Sequence, residues 1–210
     1  MSKKIVITGG IGYIGTELCK IYSGISWNNE IVVIDNRFIS ERVNQLRNWG
    51  IQFVLGDILD KELLNNHLSD ANIVHHLAGI TQVARTSKDQ DEKQDKKINQ
   101  TAIQGTENII SSVSNSCKII FPSTHVVFEG SAKLKKEILE NETTSPILTY
   151  ATGKVKNEEQ LKNSGKKYVI LRLGSVYGYS TDTTRLDIMP NLFSKIASQN
   201  GVIKLFAAGK

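Results

Sequence analysis

The chain has 210 residues, 40% hydrophobic and 22% charged, with a formal net charge of +5. That length holds one full domain with a sizeable core and the beginning of a second lobe. The basic residues are scattered, as in Lys3-Lys4, Lys133 to Lys136 and Lys166-Lys167. With no basic stripe interleaved with aromatics, a nucleic-acid partner is not expected, although the mild positive field suits an anionic nucleotide ligand. No run approaches the roughly 20 apolar residues of a membrane helix and no signal-peptide pattern stands at the start, so a cytoplasmic protein without a membrane partner is expected. Cys19 and Cys117 form no CxxC pair and no cluster with histidines. Both read as reduced apolar packers in helical stretches, and no metal site is expected.

Short β-branched runs alternate with amphipathic segments along the chain. The strands predicted in order are Lys4–Thr8, Glu30–Asp35, Gln52–Leu55, Ile73–Leu77, Lys118–Ser123, Tyr168–Leu173 and Val202–Phe206. Helices are predicted between them over Gly12–Ser23, Ser40–Trp49, Lys61–Leu68 and Ile98–Val113. This rhythm gives an α/β architecture, a parallel sheet with helices on both faces. Ser87 to Lys97 carries alternating charge with no apolar residue and reads as a solvated loop or an exposed first turn of the Ile98 helix, with a mobile lip over a site as the alternative.

The first strand runs into Gly9-Gly10-Ile11-Gly12-Tyr13-Ile14-Gly15. In such a loop backbone N–H groups can approach a dinucleotide pyrophosphate at a helix N-terminus. Gly10 is expected to take backbone angles that a Cβ forbids, Gly12 to clear the space of the phosphates, and Gly15 to let the helix pack close. Asp35 ends the second strand, where a carboxylate accepts hydrogen bonds from the adenosine ribose and repels a 2′-phosphate, which predicts NAD over NADP. Asp57 after the third strand reads as an adenine contact or as the cap of the next helix.

Tyr150 and Lys154 stand four apart, on one face of a helix. The lysine charge beside the ring, with a positive nicotinamide, favours phenolate and moves the tyrosine pKa from about 10 towards the working range. Such a tyrosine can exchange a proton with a sugar hydroxyl during hydride transfer. Ser123 and Thr124 close the fifth strand at the ligand-binding edge of the sheet, and either hydroxyl could hold a substrate oxygen or satisfy the turn.

Thr8-Gly9-Gly10-x-Gly12-x-x-Gly15, Asp35, His76-Leu77-Ala78-Gly79, Ser123-Thr124, Tyr150-x-x-x-Lys154 and Arg172-Leu173-Gly174-Ser175-Val176-Tyr177-Gly178 stand in one order. Together they resemble the extended short-chain dehydrogenase/reductase family, in its NAD-dependent nucleotide-sugar epimerase/dehydratase branch. The resemblance implies a Rossmann-type doubly wound domain over 1–178 and the start of a substrate-binding lobe over 179–210. It implies NAD as cofactor, held by Gly9, Gly10, Gly12, Tyr13, Ile14, Gly15, Asp35, Asn36, Asp57, Ile58, Leu77, Ala78 and Gly79. Tyr150 is then the acid/base, Lys154 its electrostatic partner and ribose contact, and Thr124 the catalytic hydroxyl, four positions before Phe128. Gln82, Ser123, Ser175 and Asn191 would meet the nucleotide sugar. A homodimer through the Ile98 and Ala151 helices is implied as well.

The chain also departs from that family. An asparagine three residues before Gly105-Thr106 is replaced by Ala102, with Asn99 six back, so Asn99 is displaced by a local irregularity or the role is vacant. Ser175 stands where many epimerases carry asparagine. Thr124 is followed by His125-Val126 and not by the Asp-Glu of sugar dehydratases, which argues against dehydratase chemistry; His125 reads as a turn residue or as substituted acid/base machinery. The adjacent His75-His76 reads as a strand end. The sequence ends where the family enters its second substrate-binding stretch, as a truncated piece or a short natural member would. The expected activity is nucleotide-sugar epimerisation, with a net reductase or dehydrogenase and a non-catalytic NAD-binding module as alternatives.

Overall fold

The computed structural model describes residues 2–25, 28–80, 92–131, 137–181, 185–186 and 188–204. Six strands form one parallel sheet in the order β3-β2-β1-β4-β5-β6. They are β1 (Lys4–Thr8), β2 (Glu30–Asp35), β3 (Gln52–Leu55), β4 (Ile73–His76), β5 (Lys118–Thr124) and β6 (Lys167–Leu173). The helices are α1 (Tyr13–Gly24), α2 (Ser40–Asn48), α3 (Lys61–Leu68), α4 (Glu92–Ser112), α5 (Thr149–Asn163) and α6 (Met189–Ser198), with a 3₁₀ turn at His125–Phe128. The strand order reverses between β1 and β4, which opens a crevice beyond their carboxyl ends.

Strand alternation sends side chains to two cores. Ile5 and Ile7 face Ile11, Cys19 and Leu46, under α1 and α2. Val6, Val32, Ile34, Val74, Ile119 and Phe121 face Leu64, Leu68, Ile109 and Leu161, under α3, α4 and α5. Because both faces are covered, β1 reads as an unbroken apolar run and not as an alternating one.

Several expectations are corrected. Cys117 is buried in the core as expected but lies before β5 and in no helix. Asp60, not Asp57, caps α3, its side chain accepting from Leu63 N at 3.0 Å. The reading of the charged stretch as a first turn of the Ile98 helix holds for Glu92 to Lys97, which open α4; residues 87–91 lie outside the described residues. Of the strand expected over Val202–Phe206, residues 202–204 have no strand geometry and the remainder lies outside the described residues. α6 was not anticipated; it starts with Pro190 in its first turn, a position that has no intrahelical N–H to lose, and buries no side chain among the described residues.

Candidate functional site

The glycine loop is built by close approach. Gly9, not Gly10, takes the left-handed conformation, with φ 72°, and a Cβ there would lie 2.7 Å from Ala78 N. Gly10 has ordinary φ; a Cβ on it would lie 2.5 Å from a Val33 methyl, so its hydrogen seats the loop on β2. A Cβ on Gly15 would lie 2.5 Å from the Gly9 carbonyl oxygen, so this glycine lets α1 start against the loop. A Cβ on Gly12 would lie 3.1 Å from Gly9 O, tighter than ordinary contact, and 3.6 Å from Arg37 Nη2. As N-cap of α1, Gly12 supplies no side-chain acceptor, and the first turn carries no acid. The N–H groups of that turn therefore remain available to an anion. A glycine loop at a helix N-terminus without a side-chain cap fits a dinucleotide pyrophosphate.

Across the switch point, Leu77 N donates to Thr8 O at 3.1 Å and Ala78 N to Thr8 Oγ1 at 3.3 Å. His76 joins Thr8 Oγ1 at 3.2 Å to Thr106 Oγ1 at 3.0 Å, from Nδ1 and Nε2 respectively. Burial pushes its imidazole down to about 3, with Lys154 adding to the effect, so it is neutral at physiological pH. His75 pairs with Tyr22 Oη at 2.7 Å and is pushed down to about 4 by burial. Gly79 is open, beside half-buried Leu77 and Ala78. Gln82 lies outside the described residues.

At the other end, Asp35 accepts from Ile11 N at 3.3 Å and Arg37 N at 3.0 Å. Asn36 donates to Asp57 Oδ2 at 2.9 Å, and Asp57 Oδ1 accepts from Leu59 N at 2.9 Å. Ile58 is buried against Gly105, where a Cβ would come within 2.3 Å of its Cδ1. Ile14 is exposed. Tyr13 donates from its hydroxyl to Gly178 O, and Asn191 on α6 donates to that hydroxyl at 3.1 Å while accepting from Gly178 N at 2.9 Å. A second Asn191 donation goes to Arg185 O at 2.9 Å, so its amide braces the loop after β6 against the glycine loop. Ser175, on that loop, is exposed.

Tyr150 and Lys154 lie on the first turns of α5. Lys154 Nζ donates to Pro122 O at 2.8 Å and stands 4.3 Å from the Phe121 ring centroid and 5.7 Å from that of Tyr150. Burial pushes the Lys154 ammonium down to about 8, and Glu158 one turn on partly restores it. Burial also raises the Tyr150 phenol, and the charge opposing it comes from Arg185. The shift is opposite to the direction expected from the spacing with Lys154: desolvation outweighs the Arg185 charge and favours the protonated phenol. Thr124, on the last position of β5, accepts from Val126 N at 3.3 Å, an arrangement that leaves its own proton to donate. Ser123 points to the opposite face and donates to Glu158 Oε1 at 2.6 Å. His125 contacts Leu173 O through Nδ1 at 3.2 Å and lies exposed on the turn.

Two residues that the sequence reading passed over shape this end of the site. Glu158 is 2% exposed and receives both Arg172 Nε at 3.0 Å and Nη2 at 2.7 Å. That fork pins α5 to β5 and β6 beneath Tyr150 and Lys154. Glu158's i,i+4 spacing from Lys154 was a usable signal; nothing in the sequence pattern marked Arg185.

A family profile described as the NAD dependent epimerase/dehydratase family matches residues 5–210. A dTDP-D-glucose 4,6-dehydratase of Dictyostelium discoideum is 28% identical over 197 residues, covering 84% of this chain and 44% of that protein. A UDP-glucose 4-epimerase of Mycoplasma genitalium is 29% identical over 216 residues, covering 93% and 61%. Among solved structures, the UDP-glucose 4-epimerase of Thermotoga maritima with UDP-glucose superposes with a TM-score of 0.78 at 24% identity, covering 97% of this chain and 66% of that one. At that identity the superposition establishes the fold. The chain spans between 44% and 66% of the length of these relatives. With its crossover order, its glycine loop and its profile match over 5–210, the chain belongs to the NAD-dependent epimerase/dehydratase family.

Proposed function

We propose that this chain binds NAD in the crevice between the β1 and β4 ends and contributes Thr124, Tyr150 and Lys154 to nucleotide-sugar epimerisation. Gly9 to Gly15 hold the pyrophosphate, Asp35 and Asn36 the adenosine ribose, Asp57 and Ile58 the adenine side, and Leu77 to Gly79 the nicotinamide side. When bound, the nicotinamide supplies a hydride acceptor and donor. Tyr150 takes the proton of the sugar hydroxyl and later returns it. Thr124 donates to the oxygen whose charge changes, and Lys154 together with the cationic nicotinamide draws the phenol down from its raised resting pKa.

The observation that carries this reading is the position of Lys154, 2.8 Å from Pro122 O and 5.7 Å from the Tyr150 ring centroid. There its ammonium is desolvated near the Tyr150 ring and bonded to Pro122, two residues before Thr124 on β5. Gln82, Ser123, Ser175 and Asn191 are proposed substrate contacts. Ser123 and Asn191 would first have to release the protein partners they hold here. Pairing of two copies through α4 and α5 belongs to the same proposal.

Calorimetric titration of the purified chain with NAD⁺ tests the cofactor site, and binding of a folded chain is expected. Tyr150→Phe should keep that binding and abolish turnover of a UDP- or dTDP-sugar by any form of the protein that is active. Retained turnover would overturn the role of Tyr150.

A further inference from the structure

The adenosine-ribose corner holds a cation that the glycine fingerprint does not require. Asp35 is 5% exposed, and its carboxylate already accepts three N–H groups. Ile11 N lies 3.3 Å from Oδ2, and Arg37 N and Nε lie 3.0 and 3.3 Å from Oδ1. A carboxylate has about four lone-pair positions, so little remains for clasping both ribose hydroxyls. Its charge is also offset by the Arg37 ion pair at 3.3 Å.

The Arg37 side chain is 47% exposed, and its terminal nitrogens bond to nothing among the described residues. Nη2 stands 3.6 Å from the point a Gly12 Cβ would occupy, which places the guanidinium across the mouth of the glycine loop. Arg42 on α2 donates to the Ile11 carbonyl and sets a second cation against the same loop. The other acid of the corner, Asp57, is engaged by Asn36 and Leu59 N. A 2′-phosphate that an unpaired Asp35 would repel therefore meets an open guanidinium fork, the geometry that matches phosphate oxygens.

We propose that Arg37 makes this corner a receptor for a ribose 2′-phosphate, so that the chain binds NADP as well as NAD. The proposal rests on the dinucleotide site described above. It also reverses the selectivity that Asp35 alone predicts.

The test titrates NAD⁺ and NADP⁺ into the wild-type chain, Arg37→Ala and Arg37→Lys, at fixed moderate salt. Wild type is expected to bind NADP⁺ within about tenfold of NAD⁺. Arg37→Ala should lose about tenfold or more in NADP⁺ affinity, the scale of one charge-assisted contact, with NAD⁺ affinity within about threefold. Arg37→Lys should recover part of the loss, because a point charge replaces the fork. NAD⁺ binding with NADP⁺ more than about a hundredfold weaker would overturn the proposal and leave the NAD site standing. Equal losses for both nucleotides in Arg37→Ala would also overturn it, since Arg37 would then act through the loop. Binding of neither nucleotide to folded wild type would remove the dinucleotide reading and the proposal with it.

Discussion

Replacing Lys154 by Met should make the fold more stable at neutral pH. The ammonium is pushed from the ordinary 10.5 to about 8 by burial, with partial relief from Glu158. At 1.36 kcal/mol per pH unit, that drop corresponds to about 3 kcal/mol of penalty on the charged form. Its folded pKa lies below its unfolded one, so the unfolded chain binds more protons between pH 8 and 10.5. Stability contributed at this position is complete above 10.5 and lost as pH falls through about 8, so the full penalty stands at pH 7. Met has a similar length and no charge, and it gives up the hydrogen bond to Pro122 O and the contact with the Phe121 ring. Those losses take about 1–2 kcal/mol from the gain. Urea denaturation at pH 7 should therefore show Lys154→Met more stable by about 1–2 kcal/mol, with the advantage gone near pH 10.5. Loss of stability at pH 7, or a gain of equal size at both pH values, would refute the reasoning. A lysine that destabilises its own fold is the pattern expected of a group kept for chemistry.

Other perturbations test other parts of the frame. Gly10→Ala forces a methyl to 2.5 Å from Val33 and should cost about 1–3 kcal/mol in a thermal or urea melt; an unchanged melt would mean that the loop and β2 can separate freely. Glu158→Ala strands Arg172, 15% exposed, and the Ser123 hydroxyl, and should cost about 3–5 kcal/mol. Burial pushes the Glu158 carboxyl up, but Arg172, Ser123 and Lys162 outweigh it and hold it below the ordinary range. Its stabilising effect is therefore complete above the unfolded carboxylate pKa and lost as pH falls through the lower folded value, an acid limb that Glu158→Gln should flatten. His76 is pushed from 6.5 to about 3, so stability falls as pH drops below 6.5, and His76→Asn should lower the slope between pH 6.5 and 4 in equilibrium unfolding.

The sheet was legible because both of its faces are covered. All six strands fall on short apolar runs expected as strands, and β1 to β3 begin and end where those runs do. The charged stretch before Ile98 was harder to place, since a helix with an exposed first turn and a solvated loop share the same composition. α6 escaped notice for a related reason: its apolar residues Met189 and Leu192 are exposed, so no buried partner gives its pattern meaning. Asp35 could be found from its place after the glycines, whereas the position of its ion-pair partner Arg37 beside Gly12 emerges only from the structure. Tyr150 and Lys154 were legible as an i,i+4 pair, but the sign of the tyrosine's shift was not. Spacing reports a neighbouring charge and carries no information on desolvation.

Ala102, three residues before Gly105, sits at a close crossing of α4 and α5. α4 runs without a break from Glu92 to Ser112, so no irregularity moves Asn99 into the place of Ala102. Three residues of helix separate the two positions by about 4.5 Å along the axis and about 60° around it. Asn99 instead has a buried Oδ1 with no partner among the described residues. At Ala102, α5 comes close: a Cβ on Gly153 would lie 3.4 Å from the Ala102 Cβ, and Asn157 Nδ2 donates to the Ala102 carbonyl at 2.8 Å. A longer side chain at 102 would push α5 outward, and α5 carries Tyr150 and Lys154. Small residues at the crossing and a buried amide on the Ala102 carbonyl therefore set the depth at which Tyr150 and Lys154 sit. Restoring the family's residue with Ala102→Asn should move the pair before it adds any contact, lowering the melting temperature and raising the apparent pKa of Lys154 towards 10.5 as its site opens to water.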